Sequence, residues 1–322
     1  MITSLYAAFL AFGISLLAGP ATIAALVRLK AGQPIRPWGP RTHIAKAGKP
    51  TMGGVLIVLA LAVATLALVG RYDRVAFALL VTVGYAVIGL IDDYLKVVMR
   101  RSLGLKARHK LVGQTIVGLA LALYALEEPS LGPQILIPFT EHSLLLPDWL
   151  FVAGTVLVLI AAGNAVNVTD GLDGLAAGAM AIACGAYVLI SWRLGAPDMA
   201  VFAGAIAGAC LGFAWFNAHP AQMIMGDTGA LGLGAALGAL AVLTRTELLL
   251  PLVGGLFVIE SLSVILQVSY FRLTGGRRIF LMSPLHHHFE ESGWQETKIV
   301  FRFWIVALIC SLVGLAAVPG LI

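Results

Sequence analysis

Long, nearly uninterrupted apolar runs dominate the chain, and polar residues are confined mainly to the short segments between them. Ten runs are long enough to cross a bilayer, which takes roughly 20 apolar residues in a helix. Because the apolar positions are continuous rather than alternating, they predict helices and exclude a β-barrel. The ten predicted spans cover approximately residues 4–27, 51–70, 75–98, 111–127, 149–166, 173–192, 199–216, 228–244, 248–271 and 299–319.

The composition places the chain in a membrane rather than in water. Of its 322 residues, 60% are hydrophobic and 11% are charged, and the mean hydropathy is +0.95. Soluble domains carry about 25% charged residues, so this chain has too few to cover a soluble surface. A soluble enzyme, a nucleic-acid-binding module and a disordered protein are therefore excluded. The fold class is an all-α polytopic membrane protein, with residues 1–322 expected to form a single integral membrane domain.

The distribution of Lys and Arg orients the predicted helices. Cytoplasmic loops of membrane proteins carry an excess of these residues. Here they are concentrated in three loops, around 28–50, 96–110 and 272–302, which share one side of the membrane. Of the 21 Lys and Arg residues, those in the opposite loops are Arg71, Arg74, Arg193 and Arg245. With ten spans, both termini are expected outside. Because the positive charge sits in these loops, no nucleic-acid partner is expected.

Carboxylates gather at one side of the predicted helices. They are, in chain order, Asp92, Asp93, Asp170, Asp173 and Asp227, all at predicted cytoplasmic helix ends. Carboxylates at membrane depth are costly, which favours a functional role, although any one of them could instead cap a helix. Oxygen ligands completed by water and substrate phosphate are typical of Mg²⁺, and neighbouring Lys residues neutralise phosphate. The pattern predicts a cytoplasmic Mg²⁺ site that acts on a phosphorylated lipid.

The last basic loop carries three consecutive histidines, His286, His287 and His288. Adjacent side chains diverge on a helix or a strand, so the three rings do not easily bind one metal ion. The HExxH pattern of zinc proteases is absent. Recognition of a phosphate or a leaving group by one or two imidazoles is the preferred interpretation. A zinc site and a solvated histidine run remain alternatives.

Five segments together resemble one family. They are AKAGKPTMGG (45–54), GLIDDYLKV (89–97), NAVNVTDGLDGLAAG (164–178), FNAHPAQMIMGDTGALGLG (216–234) and LMSPLHHHFE (281–290). Their order along the whole chain is similar to that of the phospho-N-acetylmuramoyl-pentapeptide transferases of bacterial peptidoglycan synthesis. PTMGG and PLHHHFE distinguish this family from related polyprenyl-phosphate transferases that use UDP-N-acetylglucosamine.

The resemblance implies a transferase that converts UDP-N-acetylmuramoyl-pentapeptide and undecaprenyl phosphate into lipid I and UMP, with Mg²⁺. It also implies a homodimer in the bacterial inner membrane, with ten transmembrane helices and a cytoplasmic active site that serves cell-wall synthesis, cell shape and cell division. Two alternatives stay open. One is a related transferase for UDP-N-acetylglucosamine. The other is a secondary transporter, whose coupling residues would lie nearer the bilayer midplane.

The resemblance also assigns roles by position. It implies that Asp227 is the metal ligand and that His286 is catalytic. Asp92 and Asp93 match the essential acid pair, one of which deprotonates or orients the lipid phosphate, by direct attack or in a two-step path with a covalent intermediate. The positions expected to bind substrate are Lys46, Thr51, Asn164, Asn167, Asp170, Asp173, Asn217, Gln267, His287 and His288. Positive charge for the anionic reactants is expected from Lys96, Lys106 and Lys110. Ile224 stands where the family commonly has Phe, and it offers uracil dispersion contacts but no aromatic face.

Overall fold

A bundle of long apolar helices forms the computed structural model, which describes residues 1–29, 32, 48–70, 73–101 and 104–320. The helices are α1 (Ile2–Arg28), α2 (Gly54–Leu68), α3 (Asp73–Val97), α4 (Ala107–Glu127), α5 (Asp148–Thr169), α6 (Leu175–Arg193), α7 (Pro197–Asn217), α8 (Gly226–Leu243), α9 (Leu250–Val253), α10 (Gly255–Leu273), α11 (Leu285–Glu291) and α12 (Glu296–Ala316). Two short strands, β1 (Gln134–Leu136) and β2 (Ser143–Leu145), pair antiparallel between α4 and α5.

Nine of the ten predicted spans each overlap one of these helices, and the span predicted at 248–271 covers two, α9 and α10. Within the described residues, nine helices have at least 18 residues and are apolar enough to cross a membrane. The predicted all-α polytopic fold class is thus confirmed. The span predicted at 51–70 is shorter than expected, because α2 has 15 residues. At 1.5 Å per residue it rises about 22 Å, less than the roughly 30 Å of a bilayer's hydrocarbon core.

The backbone before α2 is used for pairing with another segment, which explains the short helix. The N–H groups of Gly53 and Gly54 donate to the carbonyl oxygens of Ile224 and Met225, each at 2.9 Å. In return, the N–H of Ile224 donates to the carbonyl of Pro50 at 2.8 Å. These bonds hold the start of α2 beside the start of α8.

Glycine contacts bring the central helices together, and α8 is buried along almost its whole length. A Cβ added at Gly89 of α3 would overlap the backbone at the start of α8. Gly234 of α8 lies in the same way against the carbonyl of Ala162 in α5, and Gly208 of α7 against that of Ala8 in α1. Small residues allow such close approach between membrane helices. The small-residue spacing of α7 and α8 therefore positions them directly against their neighbours.

The strand pair was not predicted from the sequence. Its backbone is fastened to two other elements: the N–H of Leu136 donates to the carbonyl of Arg245, and the N–H of Phe139 to that of Ala317, each at 2.8 Å. The hairpin thus packs on the connection between α8 and α9 and on the residue that follows α12.

Glu247, in the connection between α8 and α9, is a buried carboxyl group with no hydrogen-bond partner among the described residues. Burial raises its pKa to about 8 from an ordinary 4.5. The folded chain therefore binds this proton more tightly than the unfolded chain. The contribution to stability is complete below the unfolded pKa and is lost as the pH rises towards the folded pKa.

Replacing Glu247 with Gln is expected to raise the melting temperature at pH 8.5 by roughly 3 °C or more, and by less at pH 5. The reason is that Gln carries no charge to bury at either pH. Thermal unfolding of the purified protein at the two pH values measures the difference. Glu141→Gln, at an exposed residue of the hairpin loop, should change neither value. Equal shifts at both pH values for Glu247→Gln would contradict the assignment.

Candidate active site

Two aspartates near the end of α3 meet the first turn of α8. Asp92 and Asp93 are 2% and 4% exposed. Gly89, one turn earlier, allows the backbone at Asp227 to approach α3 closely. Acidic residues that are distant in sequence thus converge in space, as the sequence predicts for these three.

Two lysines bridge the carboxylates of Asp92 and Asp227. The Nζ of Lys96 lies 2.6 Å from Asp92 Oδ2 and 3.1 Å from Asp227 Oδ2. The Nζ of Lys110, from α4, lies 3.1 Å and 2.7 Å from the same two oxygens. We refer to Asp92, Asp227, Lys96 and Lys110 as the charged cluster. All four side chains are at least three-quarters buried, so their charges are screened less than at an exposed surface.

Asp93 makes different contacts from Asp92. Its Oδ1 accepts the backbone N–H of Asp227 at 3.1 Å, and its Oδ2 accepts the backbone N–H and the hydroxyl of Thr228 at 2.9 and 2.7 Å. A carboxylate in this position satisfies free N–H groups at a helix start and interacts favourably with the helix dipole. Asp93 therefore caps α8 and fixes the backbone that carries Asp227.

The end of α5 supplies the third side of the charged cluster. The Nδ2 of Asn167 donates to Asp227 Oδ1 at 3.0 Å. Asn164, one turn earlier, donates instead to Gln114 Oε1 at 3.2 Å and to a carbonyl of its own helix. Asp170 is the residue that follows α5. Asn167 thus touches the cluster directly, whereas Asn164 joins α5 to α4.

Thr51 and Ile224 lie on the paired segments that precede α2 and α8. Gly226 has φ +73°, a conformation that favours glycine. A Cβ there would come within 2.9 Å of Thr51 Oγ1 and 2.7 Å of Asp93 Oδ2. Thr51 is therefore beside the cap of α8, and the half-buried Ile224 is two residues before Gly226. Lys46, predicted to bind substrate, lies outside the described residues.

A second polar group forms around Asp173. His219 Nδ1 is 3.3 Å from Asp173 Oδ2 and 3.4 Å from Glu296 Oε2, and Lys49 Nζ is 3.9 Å from Asp173 Oδ2. The ligand atoms of Asp173, His219 and Glu296 all lie within 4.8 Å of one another, so this trio could hold a metal ion. The sequence does not indicate the roles of His219 and Glu296, because no motif spacing relates the three segments.

The amide side chains of Asn217 and Gln267 bind backbone groups. Asn217 Oδ1 accepts the N–H of Gly174, and its Nδ2 donates to the carbonyl of Met223, both at 2.9 Å. Gln267 bonds three backbone groups of residues 279–280, each at 3.0 Å. Asn217 therefore holds the turn before α6 against the segment before α8, and Gln267 holds the segment before α11 against α10.

The three consecutive histidines lie on α11 and have three different partners. The Nδ1 atom of His286 lies 2.9 Å from Glu260 Oε2, and that of His287 lies 2.6 Å from Glu290 Oε2. The Nδ1 atom of His288 accepts the N–H of Leu281 at 3.2 Å. His286 and Glu260 are both completely buried. The three Nδ1 atoms thus do not face one common site, as expected, although the rings of His286 and His287 touch with centroids 4.2 Å apart.

His286 also approaches the end of α5. A Cβ added at Gly171 would overlap its Nε2 atom. Gly171 follows Asp170, and the last turn of α5 holds Asn167 against the charged cluster. The end of α5 thus contacts the charged cluster on one side and His286 on the other.

The charged cluster has the chemistry that a divalent cation requires. Asp92 and Asp227 offer hard carboxylate oxygens, the ligands that Mg²⁺ prefers. Two ammonium groups lie within 3.1 Å of both Oδ2 atoms and balance their charge, so they would turn to phosphate oxygens of the substrate when the ion binds. The residues present therefore fit Mg²⁺, and the Asp173 trio is a second candidate with a mixed donor set.

Comparison with known proteins agrees with this arrangement. The family model described as glycosyl transferase family 4 matches residues 75–245, which include α4 to α8, nearly all of α3 and the whole charged cluster. The match covers more than half of the chain, and it identifies the protein as a member of that enzyme family.

Curated relatives extend the similarity to nearly the whole chain. A phospho-N-acetylmuramoyl-pentapeptide-transferase from Moorella thermoacetica is 51% identical over 315 residues, covering 98% of each chain. One from Desulforamulus reducens is 49% identical, covering 96% of this chain and 94% of its own. One from Desulforudis audaxviator is 46% identical, with both chains covered completely. At this identity and coverage, the chain belongs to the family of phospho-N-acetylmuramoyl-pentapeptide-transferases.

Proposed function

We propose that the protein transfers phospho-N-acetylmuramoyl-pentapeptide from its UDP-linked form to undecaprenyl phosphate, giving lipid I and UMP. The observation that carries this proposal is the charged cluster, in a chain similar over its full length to transferases of that name. Phosphoryl transfer depends mainly on positioning and charge neutralisation, and the cluster supplies both. The reaction is the first membrane step of peptidoglycan synthesis, on which cell-wall formation, cell shape and cell division depend.

The reaction takes place at the cytoplasmic side of the bacterial inner membrane. The loops richest in Lys and Arg flank the ends of α1, α3 and α10, and the charged cluster is at the same end of α3. The positive-inside rule therefore supports a cytoplasmic cluster and two termini outside. The whole chain, 1–322, acts as a single membrane transferase domain, and the enzyme works as a homodimer.

Lys96 and Lys110 neutralise the phosphates of the reactants. Each ammonium group bridges two carboxylates, and such a group can exchange a carboxylate for a phosphate oxygen with little movement. Bound Mg²⁺ would polarise the pyrophosphate and make UMP a better leaving group. Asp227 would hold that ion, while Asn167 orients Asp227 through the 3.0 Å hydrogen bond.

Asp92 is the better candidate for the group that orients or deprotonates the lipid phosphate. Its Oδ2 faces both lysines, whereas both oxygens of Asp93 accept hydrogen bonds from the start of α8. Direct attack by the lipid phosphate on the sugar-linked phosphorus breaks the bond to UMP in one step. A two-step path would place a covalent phospho-sugar on a carboxylate and give ping-pong kinetics.

The nucleoside end of the substrate binds around the Asp173 group and the segments before α2 and α8. Asn217 and Thr51 lie on these segments, and Asp173 bonds the N–H of Ala221 at 3.0 Å. Ile224, half-buried between them, covers the uracil ring. The remaining substrate contacts are provided by Lys46, Asn164, Asp170, Gln267, His287 and His288.

Replacing Ile224 with Phe is expected to lower the KM for the UDP-linked substrate roughly three- to tenfold, because an aromatic face can stack on uracil. The kcat should stay within a factor of two, since Ile224 does not touch the charged cluster. Steady-state UMP release measures both constants. Ile309→Phe, at a half-exposed position of α12, is the matched control. An unchanged or raised KM would refute the placement of uracil at Ile224.

The transferase assay with purified protein, undecaprenyl phosphate and Mg²⁺ tests the proposed function. UDP-N-acetylmuramoyl-pentapeptide should release UMP, UDP-N-acetylglucosamine should not, and chelation of the metal should stop the release. Turnover of the second sugar alone would instead assign the protein to the related transferases. Release from neither, in a folded preparation, would refute the proposed reaction and favour a transporter.

A further inference from the structure

Among the described residues, His286 and Glu260 form the most deeply buried pair of oppositely chargeable side chains. Both side chains are 0% exposed, and His286 Nδ1 is 2.9 Å from Glu260 Oε2. Glu260 belongs to α10 and His286 to α11. A carboxyl group buried in a membrane helix is costly unless it has a partner. This pair therefore calls for an explanation beyond the packing of two helices.

The second ring nitrogen of His286 is also buried and has no hydrogen-bond partner among the described residues. It lies against Gly171, where a side chain would overlap it. Gly171 belongs to the turn between α5 and α6 that carries Asp170 and Asp173. Buried polar atoms without partners are rare, and each one calls for a structural or functional explanation.

We propose that Glu260 is a positioning residue that acts through His286. Its carboxylate accepts a hydrogen bond from the Nδ1–H group, which fixes the ring orientation and the tautomer. Nε2 is thereby left unprotonated and directed at the turn after α5. This inference rests on the proposed function, in which that turn binds the UDP-linked substrate. Nε2 packs against Gly171, so the ring orientation that Glu260 fixes also holds this turn in the position that binds the substrate.

The other charged or titratable groups near the ring belong to α11 and to the turn after α5. His287 contacts His286 with ring centroids 4.2 Å apart, but its own Nδ1 faces Glu290. Asp170 adjoins Gly171 in the chain. Glu260 is thus the group placed to select which nitrogen of His286 carries the proton, as the aspartate of a Ser-His-Asp triad does for its histidine.

Glu260→Gln is the decisive variant because it keeps the shape and a hydrogen bond but lets the amide either donate or accept. The ring can then adopt both tautomers. We expect kcat for UMP release to fall roughly 100-fold, by analogy with the wrong-tautomer effect in the serine protease triad. The KM for the UDP-linked substrate and the melting temperature should change little. A purely structural tie between α10 and α11 predicts wild-type kcat for this variant.

Two further variants test whether the effect passes through His286. In a His286→Gln background, adding Glu260→Gln should lower kcat by less than a further threefold. The effects of residues that act as a unit are not additive. Gly171→Ala, which displaces the ring without changing Glu260 or His286, should lower kcat to a similar extent. An undiminished effect of Glu260→Gln in the His286→Gln background would overturn the proposal. Glu247→Gln, another buried glutamate, is the control with unchanged turnover.

Nitrogen-15 NMR of histidine-labelled protein gives a readout that does not depend on turnover. The His286 signals, assigned by their loss in His286→Gln, should report a protonated Nδ1 and an unprotonated Nε2. The opposite tautomer would overturn the proposal even if lipid I is formed. Absence of UMP release from the wild type, with the expected tautomer present, would refute the proposed function and leave the Glu260–His286 assignment intact.

Discussion

Asp227→Asn is expected to reduce UMP release by on the order of 10³-fold, the range observed when an electrostatic contact to a reacting centre is removed. In the structure one oxygen of Asp227 receives Lys96 and Lys110, and the other receives Asn167. Asn keeps the size of the side chain but removes the negative charge. The two ammonium groups then lose one of the two carboxylates that they bridge, and a bound divalent cation would lose its ligand.

The loss should be one of turnover and not of folding. Asp93 still caps α8 in this variant through backbone N–H groups, so the melting temperature should stay close to that of the wild type. Asp148→Asn is the matched control, because Asp148 is an exposed aspartate in the first turn of α5. Wild-type turnover by Asp227→Asn at saturating Mg²⁺ would contradict the role assigned to the charged cluster.

The adjacent residues Asp92 and Asp93 should respond differently to substitution. Asp93→Ala leaves three donors at the start of α8 without their acceptor, which costs about 3 kcal/mol. Its melting temperature should fall clearly, and its turnover should fall with it. Asp92→Asn retains an oxygen for the N–H of Leu105, which Asp92 now accepts at 2.6 Å. It should keep most of its stability and lose turnover roughly 100-fold or more.

Thermal unfolding and UMP release, measured on the same preparations, separate the two effects. Asp93→Asn is a useful intermediate, because its side-chain oxygen can still accept a hydrogen bond while the charge that favours the helix start is gone. Equal losses of stability in Asp92→Asn and Asp93→Ala would contradict the assignment of the cap to Asp93 alone.

The membrane helices could be predicted because the sequence signal is local. Each span is a continuous apolar run, and only its length and composition are needed to recognise it. The apolar run did not predict the start of α2, because contacts with a segment distant in sequence determine where this helix begins. The apolar run continues through residues 51–53, yet the backbone of Pro50, Gly53 and Gly54 pairs with residues 224–225, and α2 begins only at Gly54. The three-residue strands of the hairpin are too short for a pattern of alternation to appear.

The sequence also predicts which acids share one side of the membrane, but it does not predict their individual contacts. Topology alone predicts that Asp92, Asp93 and Asp227 share one side of the membrane, and the structure brings them into contact. Which of the acids caps α8 depends on hydrogen-bond directions that no sequence pattern contains. The hydrogen bond between Glu260 and His286 joins two residues that are 26 positions apart in the sequence, and no spacing rule predicts it.

The sequence likewise does not predict that Asp173 lies beside His219 and Glu296. Asp173 shares one motif with Asp170 and Asn167, which lie three and six positions before it in the sequence, and this suggests that all three belong to one site. In the structure the turn after α5 directs Asp173 towards the segment before α8 and the start of α12 instead. Asp173 thus belongs to a polar group that is separate from the charged cluster.

The fate of the phosphorus atoms tests the proposed reaction most directly. A UDP-N-acetylmuramoyl-pentapeptide labelled with ³²P at the phosphate next to the sugar would be incubated with the enzyme, Mg²⁺ and undecaprenyl phosphate. Transfer of a phospho-sugar places the label in the lipid fraction and releases unlabelled UMP. Release of labelled UDP, with an unlabelled glycolipid, would show transfer of the sugar alone and contradict the mechanism built on the charged cluster.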